Sequence, residues 1–509
     1  MEMKNKKGFI TRFLNWVERT GNKMPAPLII FIILTGLILL ASWLFSAIGT
    51  QVVSPATNEI IRVENLLTPT NLVRILEGTI SNFTSFPALG LVLVVMLGIG
   101  VAEQSGYFEV LLTSVIKKAP INLVLWIIIF VGILGNIAGD AAPIVMPPLA
   151  ALIFIKMGYH PIAGAIVGYV APMGGFAANM IPGMSDALVY AFTQPAAQLI
   201  DPTISVNVLM NYYFIFLSTP ILAMVIFWIL KKYTLPHLGT YTSEIGGNIT
   251  ADQDEISEEK RVALKWANWG FFAFILVMLA LTVPSNGLLR NAETGSIVND
   301  SPLMNGVGVL ITLMFFVPGI IYSLKAGEIK SSHDFSNMLS KSMSGMGNFI
   351  VIVFFAAQMM AYFSWSNLGT VIAVKGAELL QSTNGIVLIL GFIALTGFVN
   401  LFIGSASSKW ALLAPIFVPM FMLLDYHPAL TQMAYRIGDS ITNPLSPMMP
   451  YFPILLATIQ KYDKKAGIGT MMANALPYSV AIGIIWPILL IIWYTFGLPL
   501  GPNSPIFLN

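Results

Sequence analysis

The sequence predicts an all-α polytopic membrane protein with about nine transmembrane helices and two re-entrant hairpins, arranged as an inverted repeat. Three observations carry this. Of 509 residues, 56% are hydrophobic and 10% charged, whereas soluble domains carry about 25% charged residues. Apolar runs at Pro27–Ile48, Leu89–Val101, Phe214–Leu230, Gly306–Leu324, Ile386–Ile403 and Ser479–Phe496 read as bilayer crossings, each needing about 20 mostly apolar residues. The third observation is that the two halves of the chain resemble each other.

The N-terminal segment, residues 1–26, carries Lys4, Lys6, Lys7, Arg12, Arg19 and Lys23 ahead of the first run. That run is too long for a signal-peptide core, and no small-residue cleavage site follows it, so an uncleaved first span is expected. Phe9–Val17 is expected to form a short helix on the cytoplasmic interface. Basic residues mark the cytoplasmic side and collect at Lys117-Lys118, Lys231-Lys232, Lys260-Arg261, Lys325/Lys330 and Lys461/Lys464/Lys465. The loop Pro284–Asn305 has one arginine and the tail from Gly497 has no charged side chain. A cytoplasmic N-terminus and an outside C-terminus follow, hence an odd number of crossings. The first transmembrane half is residues 27–232. A polar linker at 233–265, centred on "DQDEISEEKR", reads as a solvated cytoplasmic connector, and the second half is 266–509.

A shift of 267 residues superposes Pro148 on Pro415, Phe154 on Phe421 and Tyr159-His160-Pro161 on Tyr426-His427-Pro428. Upstream of each YHP lies a small-residue polar stretch, "GNIAGDAAP" and "NLFIGSASSKW", the expected hairpin tips near 135–143 and 400–410. Downstream lies a break, "GGFAANMIPGMSDA" and "GDSITNPLSP", the expected interruptions near 174–187 and 438–447. Irregular backbone at membrane depth persists only where protein buries it or where it lines a cavity. Its free carbonyls and half-helix ends can then bind a cation or an anionic substrate. Each tip is expected to approach the break of its own half.

Ionisable residues within a membrane cost roughly 2.5–3.5 kcal/mol each on insertion scales and are functional candidates. Asp140, Asp186, Lys409, Arg436 and Asp439 stand away from loops. Arg436 and Asp439, three residues apart, would share a helix face and can pair. Arg436 suits a substrate carboxylate, which its planar fork can grip, and Asp439 suits the coupling cation or proton. Ser407 and Trp410 at the second tip offer a hydroxyl and a stacking face, and Lys409 is expected to snorkel. Candidate sodium ligands lie near Asn179, Asp186, Asn400, Asp439 and Asn443, with Asn136 and Asp140 at the first tip. His160 and His427 are read as turn caps, while His237 and His333 fall in loops.

No enzyme is expected. Neither H-E-x-x-H nor G-x-S-x-G occurs, and Ser407/Ser408 beside Lys409 would face away from it on a helix. No cofactor is expected other than bound Na+, and the small net charge of +2 argues against a nucleic-acid partner. Without cysteine, disulfides and thiolate sites are excluded. The alternative to a transporter is a passive channel for small anions, which would not require paired breaks around charged residues.

The stretches "RFLNWVERTGNKMPAP", "FSWSNLGTVIAVKGAELL", "GSASSKWALLAPIFVPMFMLLDYHPALTQMAYRIGDSITNPLSPMMPYFPILLA" and "IIWYTFGLPLGP" resemble the p-aminobenzoyl-glutamate transporter (AbgT) family along nearly the whole chain. The resemblance implies a bacterial inner-membrane homodimer with a bowl-like aqueous basin, nine transmembrane helices and two hairpins per protomer. It also implies uptake of p-aminobenzoyl-glutamate, or efflux of sulfonamide-type antimetabolites, driven by sodium or protons. By position in these motifs, the family's functional residues fall on Asp186, Asn400, Ser407, Trp410, Pro428, Arg436, Asp439 and Pro447.

Overall fold

The computed structural model describes residues 27–53, 60–117, 120, 123–138, 141–239, 256–297, 301–344, 346–446 and 449–508. The helix expected over Phe9–Val17, Asp140, Pro447 and the middle of the linker, 240–255, lie outside the described residues. The first half contains α1 (Pro27–Ile48), strands β1 (Gln51–Val53) and β2 (Ile60–Arg62), α2 (Pro69–Thr84), α3 (Pro87–Gln104) and α4 (Tyr107–Lys117). Then come α5 (Val124–Leu134) with a 3-10 turn at Gly135–Ala138, α6 (Ala141–Lys156), α7 (Pro161–Gly174), α8 (Met184–Ala197) and α9 (Tyr212–Ile229). The second half contains α10 (Glu258–Thr282), α11 (Val307–Lys325), α12 (Ser332–Ser344), α13 (Gly347–Trp365) and α14 (Leu368–Leu380). It continues with α15 (Gly385–Asn400), α16 (Ala406–Met422), α17 (Pro428–Thr442), a 3-10 turn at Asn443–Leu445, α18 (Phe452–Gln460) and α19 (Ile468–Thr495).

Among the described residues, six helical stretches are long and apolar enough to cross a membrane: Leu28–Ile48, Pro69–Gln104, Tyr212–Leu238, Glu258–Thr282, Val307–Lys325 and Ile468–Thr495. A seventh arises if Ser332–Ser344 and Phe349–Trp365, bent by 44°, form one span. The run Ile386–Ile403 falls short of a crossing. Its helix ends at Asn400, whose side chain turns to acceptors on the neighbouring chain segment rather than continuing the turn. Large apolar side chains such as Leu40 and Trp43 on α1 and Trp269, Phe272 and Leu276 on α10 are exposed, as a lipid-facing surface requires.

The shorter helices carry the repeat. At the 267-residue shift α6 overlies α16, α7 overlies α17, α8 overlies α18 and α9 overlies α19. Both YHP turns do the same work. His160 Nδ1 accepts from Ile162 N and His427 Nδ1 from Ala429 N, each at 3.2 Å, and Pro161 and Pro428 open the helices that follow, where a missing N–H costs nothing. Packing follows the pairing α6 on α7 and α16 on α17, and then crosses over. Helix α16 packs on α8 and α6 packs on α18, while α7 meets α18 and α17 meets α8. Small residues allow the close approach. A Cβ at Gly168 would stand 2.6 Å from Met146 O, and one at Gly438 would stand 2.4 Å from Ile393 O.

The ends of the linker and the tail both take ordered places in the fold. The expected linker, 233–265, is helical at both ends, because α9 winds on to Leu238 and α10 starts at Glu258. Ser257 caps α10 by accepting from Lys260 N, and Glu258 and Glu259 complement the helix dipole there. The uncharged tail is folded onto the body. Leu500 O accepts from Phe214 N, Ile506 O from His427 N, and Leu508 N donates to Asp425 O, which holds the second YHP turn in place.

Candidate functional site

The site is built around α17. Gln432, Arg436, Asp439, Ser440 and Asn443 recur at helical spacing and are all buried, so one polar stripe faces protein rather than lipid. Arg436 Nη1 donates to Asp186 Oδ1 at 2.7 Å. Asp186 Oδ2 in turn accepts from Gly183 N at 2.8 Å, which ties the first break to the start of α8. Lys409, on α16, is fully buried, lies 2.5 Å from Asp439 Oδ1, and also donates to Asn400 Oδ1.

These partners correct two expectations. Arg436 and Asp439 share a face but do not pair with each other, because α8 and α16 close on α17 and each supplies the opposite charge. Lys409 does not snorkel, since its ammonium is held inside by Asp439 and Asn400. The result is two neutralised ion pairs that each join α17 to another element. Arg436 Nη2, also buried, has no hydrogen-bond partner among the described residues.

Trp410 is fully buried and presents no free stacking face. Its Nε1 donates to Thr193 Oγ1 at 2.8 Å and Val189 O at 3.1 Å, and its ring lies 4.5 Å from that of Tyr435. Tyr435 OH donates to Ala406 O at 2.5 Å, so Trp410 and Tyr435 bolt α16 to α8 and α17. Ser407 is half-buried at the second tip, its hydroxyl 3.3 Å from Ser405 Oγ. Pro428 sits at the opposite end of α17 from Asn443, where it starts the helix.

Both tips reach their own breaks through an asparagine. Asn136 Nδ2 donates to Pro172 O at 2.8 Å and to Gly175 O at 3.2 Å. Asn400 Nδ2 lies 2.6 Å from Asp439 O, 2.9 Å from Thr442 Oγ1 and 2.7 Å from Asn443 Oδ1. Asp439 and Thr442 are the 267-residue counterparts of Pro172 and Gly175, so the two asparagines reach corresponding positions. They themselves stand three residues out of register, with Ile403 and Ile133 at the counterpart positions of Asn136 and Asn400. The breaks also touch across the repeat. Ala177 N donates to Ser440 Oγ at 3.2 Å and Asn443 Nδ2 to Met173 O at 3.4 Å. Asn179 is buried at the first break with neither side-chain polar atom hydrogen-bonded among the described residues.

The structure therefore brings Asp186, Asn400, Trp410, Arg436, Asp439 and Asn443 into one connected region, with Asn136 and Asn179 at its first-half edge. Sequence reasoning singled out Lys409 but did not find its pairing with Asp439. It also missed the chain in which Thr193 Oγ1 donates to Gln432 Oε1 at 2.6 Å and Gln432 Nε2 to Asn211 Oδ1 at 2.9 Å. The signal for Gln432 was present, since it lies one helical turn before Arg436. A separate apolar cavity of about 500 Å³, lined by Tyr107, Phe108, Phe130 and Phe271, extends to Ile137 and Ile181 beside the first tip and break.

Long apolar helices surrounding interrupted ones, with the buried charges gathered beside the interruptions, are the arrangement expected of a multi-pass membrane transporter. The chain belongs to the AbgT putative transporter family, whose sequence model matches residues 12–508. It is 35% identical over 494 residues to the p-aminobenzoyl-glutamate transport protein of Escherichia coli (strain K12), covering 97% of this chain and 96% of that protein. Among solved structures it resembles Neisseria gonorrhoeae MtrF, described as illuminating a class of antimetabolite efflux pumps, at 41% identity and a TM-score of 0.91, covering 97% of this chain and all of that one. It also resembles the Alcanivorax borkumensis YdaH transporter, described as having an unusual topology, at 36% identity and a TM-score of 0.89, covering 94% of this chain and all of that one.

Proposed function

We propose that this protein is an ion-coupled secondary transporter that moves p-aminobenzoyl-glutamate or related aromatic, anionic compounds by alternating access, with sulfonamide-type antimetabolites as exported cargo. The observation that carries the proposal is Arg436. One guanidinium nitrogen is committed to Asp186, while the other is buried and unsatisfied. A buried charged donor without an acceptor is costly, and a substrate carboxylate arriving at the breaks would satisfy it. The aromatic cavity beside Ile137 and Ile181 offers an apolar path for the ring of the same molecule. The relatives' names point the same way.

In this reading Asp186, Ser407, Trp410, Pro428, Arg436, Asp439 and Pro447 form or support the substrate site. Asp439 carries the coupling ion, Na+ or H+, with Asn179, Asp186, Asn400 and Asn443 as further oxygen ligands for Na+, and Asn136 and Asp140 at the first tip. The protein works as a homodimer in the bacterial inner membrane. Helices α7 and α8 cross as one broken span, as do α17 and α18. Added to the seven longer candidates, these give nine crossings, and α5/α6 and α15/α16 form the two re-entrant hairpins.

The test is transport by the purified chain in proteoliposomes. Labelled p-aminobenzoyl-glutamate and a sulfonamide are offered with an imposed sodium or proton gradient, in either orientation. Accumulation of either compound against its own gradient, abolished by collapsing the ion gradient, is the expected result. Equilibration without accumulation would favour the passive channel and sink the coupled reading.

A further inference from the structure

The two asparagine pins reach the corresponding carbonyls of Pro172 and Asp439 but differ in what their side-chain oxygens meet. In the first half Asn136 Oδ1 is buried and has no hydrogen-bond partner among the described residues. In the second half Asn400 Oδ1 accepts from the Lys409 ammonium. The residue 267 positions before Lys409 is Ala142, also fully buried. The repeat therefore forms its pin without a lysine, and Lys409 is not a requirement of the shared architecture.

The surroundings of the ammonium are those of a small monovalent cation. A carboxylate oxygen of Asp439 lies 2.5 Å away and the amide oxygen of Asn400 completes a pair of hard oxygen donors. The amide is oriented for this, because its Nδ2 faces Asp439 O, Thr442 Oγ1 and Asn443 Oδ1. A fully buried lysine at membrane depth is expensive to keep, and here it neutralises the carboxylate to which coupling is assigned.

We propose that the Lys409 ammonium is a tethered competitor for the cation position between Asp439 and Asn400. A monovalent metal cation binds there by displacing the ammonium, which returns when the cation leaves. The proposal rests on the assignment of ion coupling to Asp439. Its consequence is that the carboxylate stays compensated throughout the cycle, so the cation-free carrier avoids exposing a lone charge to the membrane interior. The long flexible stem of lysine allows the ammonium to withdraw towards Ser405, the N-cap residue of α16, whose hydroxyl accepts from Ser408 N. The Ser405 hydroxyl is already within 2.9 Å of Ser408 Oγ.

The experiment compares wild type, Lys409→Met and Lys409→Met/Asp439→Asn, each as the full chain in nanodiscs, by thermal melting and by equilibrium binding of radioactive sodium. Sodium chloride is titrated against choline chloride at constant ionic strength. Removing a competitor should tighten sodium binding about tenfold or more, the size of an ordinary coupling between two ligands. Lys409→Met should melt well below wild type in choline and recover in sodium, because a ligand bound only by the folded state stabilises it. The double variant should show no sodium dependence. Lys409→Gln, which keeps a donor for Asp439, replaces the methionine variant if that one cannot be purified. A folded Lys409 variant that binds sodium no more tightly than wild type would overturn the proposal. So would failure to recover either variant in saturating sodium, or recovery by acid alone, which would mean that the freed carboxylate takes a proton instead. None of these measurements uses transport, so a wild-type chain that fails to accumulate substrate would count against the functional reading alone.

Discussion

At the scale of single residues, the charges at the breaks are the features whose types were most legible and whose partners were least so. Membrane cost alone singles out Asp186, Lys409, Arg436 and Asp439. Sequence spacing, however, pairs Arg436 with Asp439, while the folded chain pairs Arg436 with Asp186 and Lys409 with Asp439. Partners from distant segments are invisible to i,i+3 reasoning. The observed pairing changes which double variants are informative. Asp186→Leu alone leaves Arg436 buried without its counter-charge, at a cost of about 3–5 kcal/mol, and should appear as a large loss of folded protein in detergent. Arg436→Met with Asp186→Leu should restore much of that loss and still fail to transport. Normal transport by the folded double variant would reduce the pair to scaffolding. Arg436→Lys keeps the charge beside Asp186 but lacks the second fork nitrogen. One charge-assisted hydrogen bond is worth about 1.5–3 kcal/mol, so substrate affinity should fall by roughly one to two orders of magnitude, read by equilibrium binding, with melting little changed.

At the scale of elements, the repeat was legible because its punctuation is chemical. The YHP turns fall where the sequence places them, and the proline after each histidine starts a helix. The cross-packing of α16 on α8 and α6 on α18 was not legible, since no local pattern encodes which half a helix will meet. The role of Trp410 was misjudged for a related reason. An indole near a tip reads as available, yet Thr193 and Tyr435 arrive from other helices to bury it. The corresponding reach of the asparagine pins makes a quantitative prediction. Asn136→Ala and Asn400→Ala each remove a side chain that satisfies carbonyls at a helix break, so each should destabilise by about 1–3 kcal/mol in thermal melts. Asn400→Ala should cost more, because Lys409 also loses an acceptor. An Asn136→Ala chain as stable as wild type, with Asn400→Ala strongly destabilised, would show that the pins do not act as a matched pair.

At the scale of the whole molecule, hydropathy reveals a membrane protein at once but cannot count its crossings. The difficulty is geometric. At about 1.5 Å per residue, the 14 residues of α7 reach roughly 21 Å, less than the ~30 Å hydrocarbon core. A helix of that length is either half of a broken span or an arm of a re-entrant hairpin, and apolar content is the same in both. Parity separates the alternatives. If α7/α8 and α17/α18 each cross once and the arms α5/α6 and α15/α16 each turn back, the number of crossings is odd and the termini lie on opposite sides. If only one of the two broken helices crosses, the number becomes even and the termini share a side. The absence of cysteine makes this testable without background. Single cysteines introduced at Lys4, at Asp252 in the linker and at Asn503 in the tail would be labelled in intact cells with a membrane-impermeant maleimide, before and after permeabilisation. Lys4→Cys and Asp252→Cys should react only after permeabilisation, whereas Asn503→Cys, on an exposed turn, should react in intact cells. Protection of all three until permeabilisation would put both termini in the cytoplasm, and the inverted relation between the halves would then have to be abandoned even though their helices superpose in order.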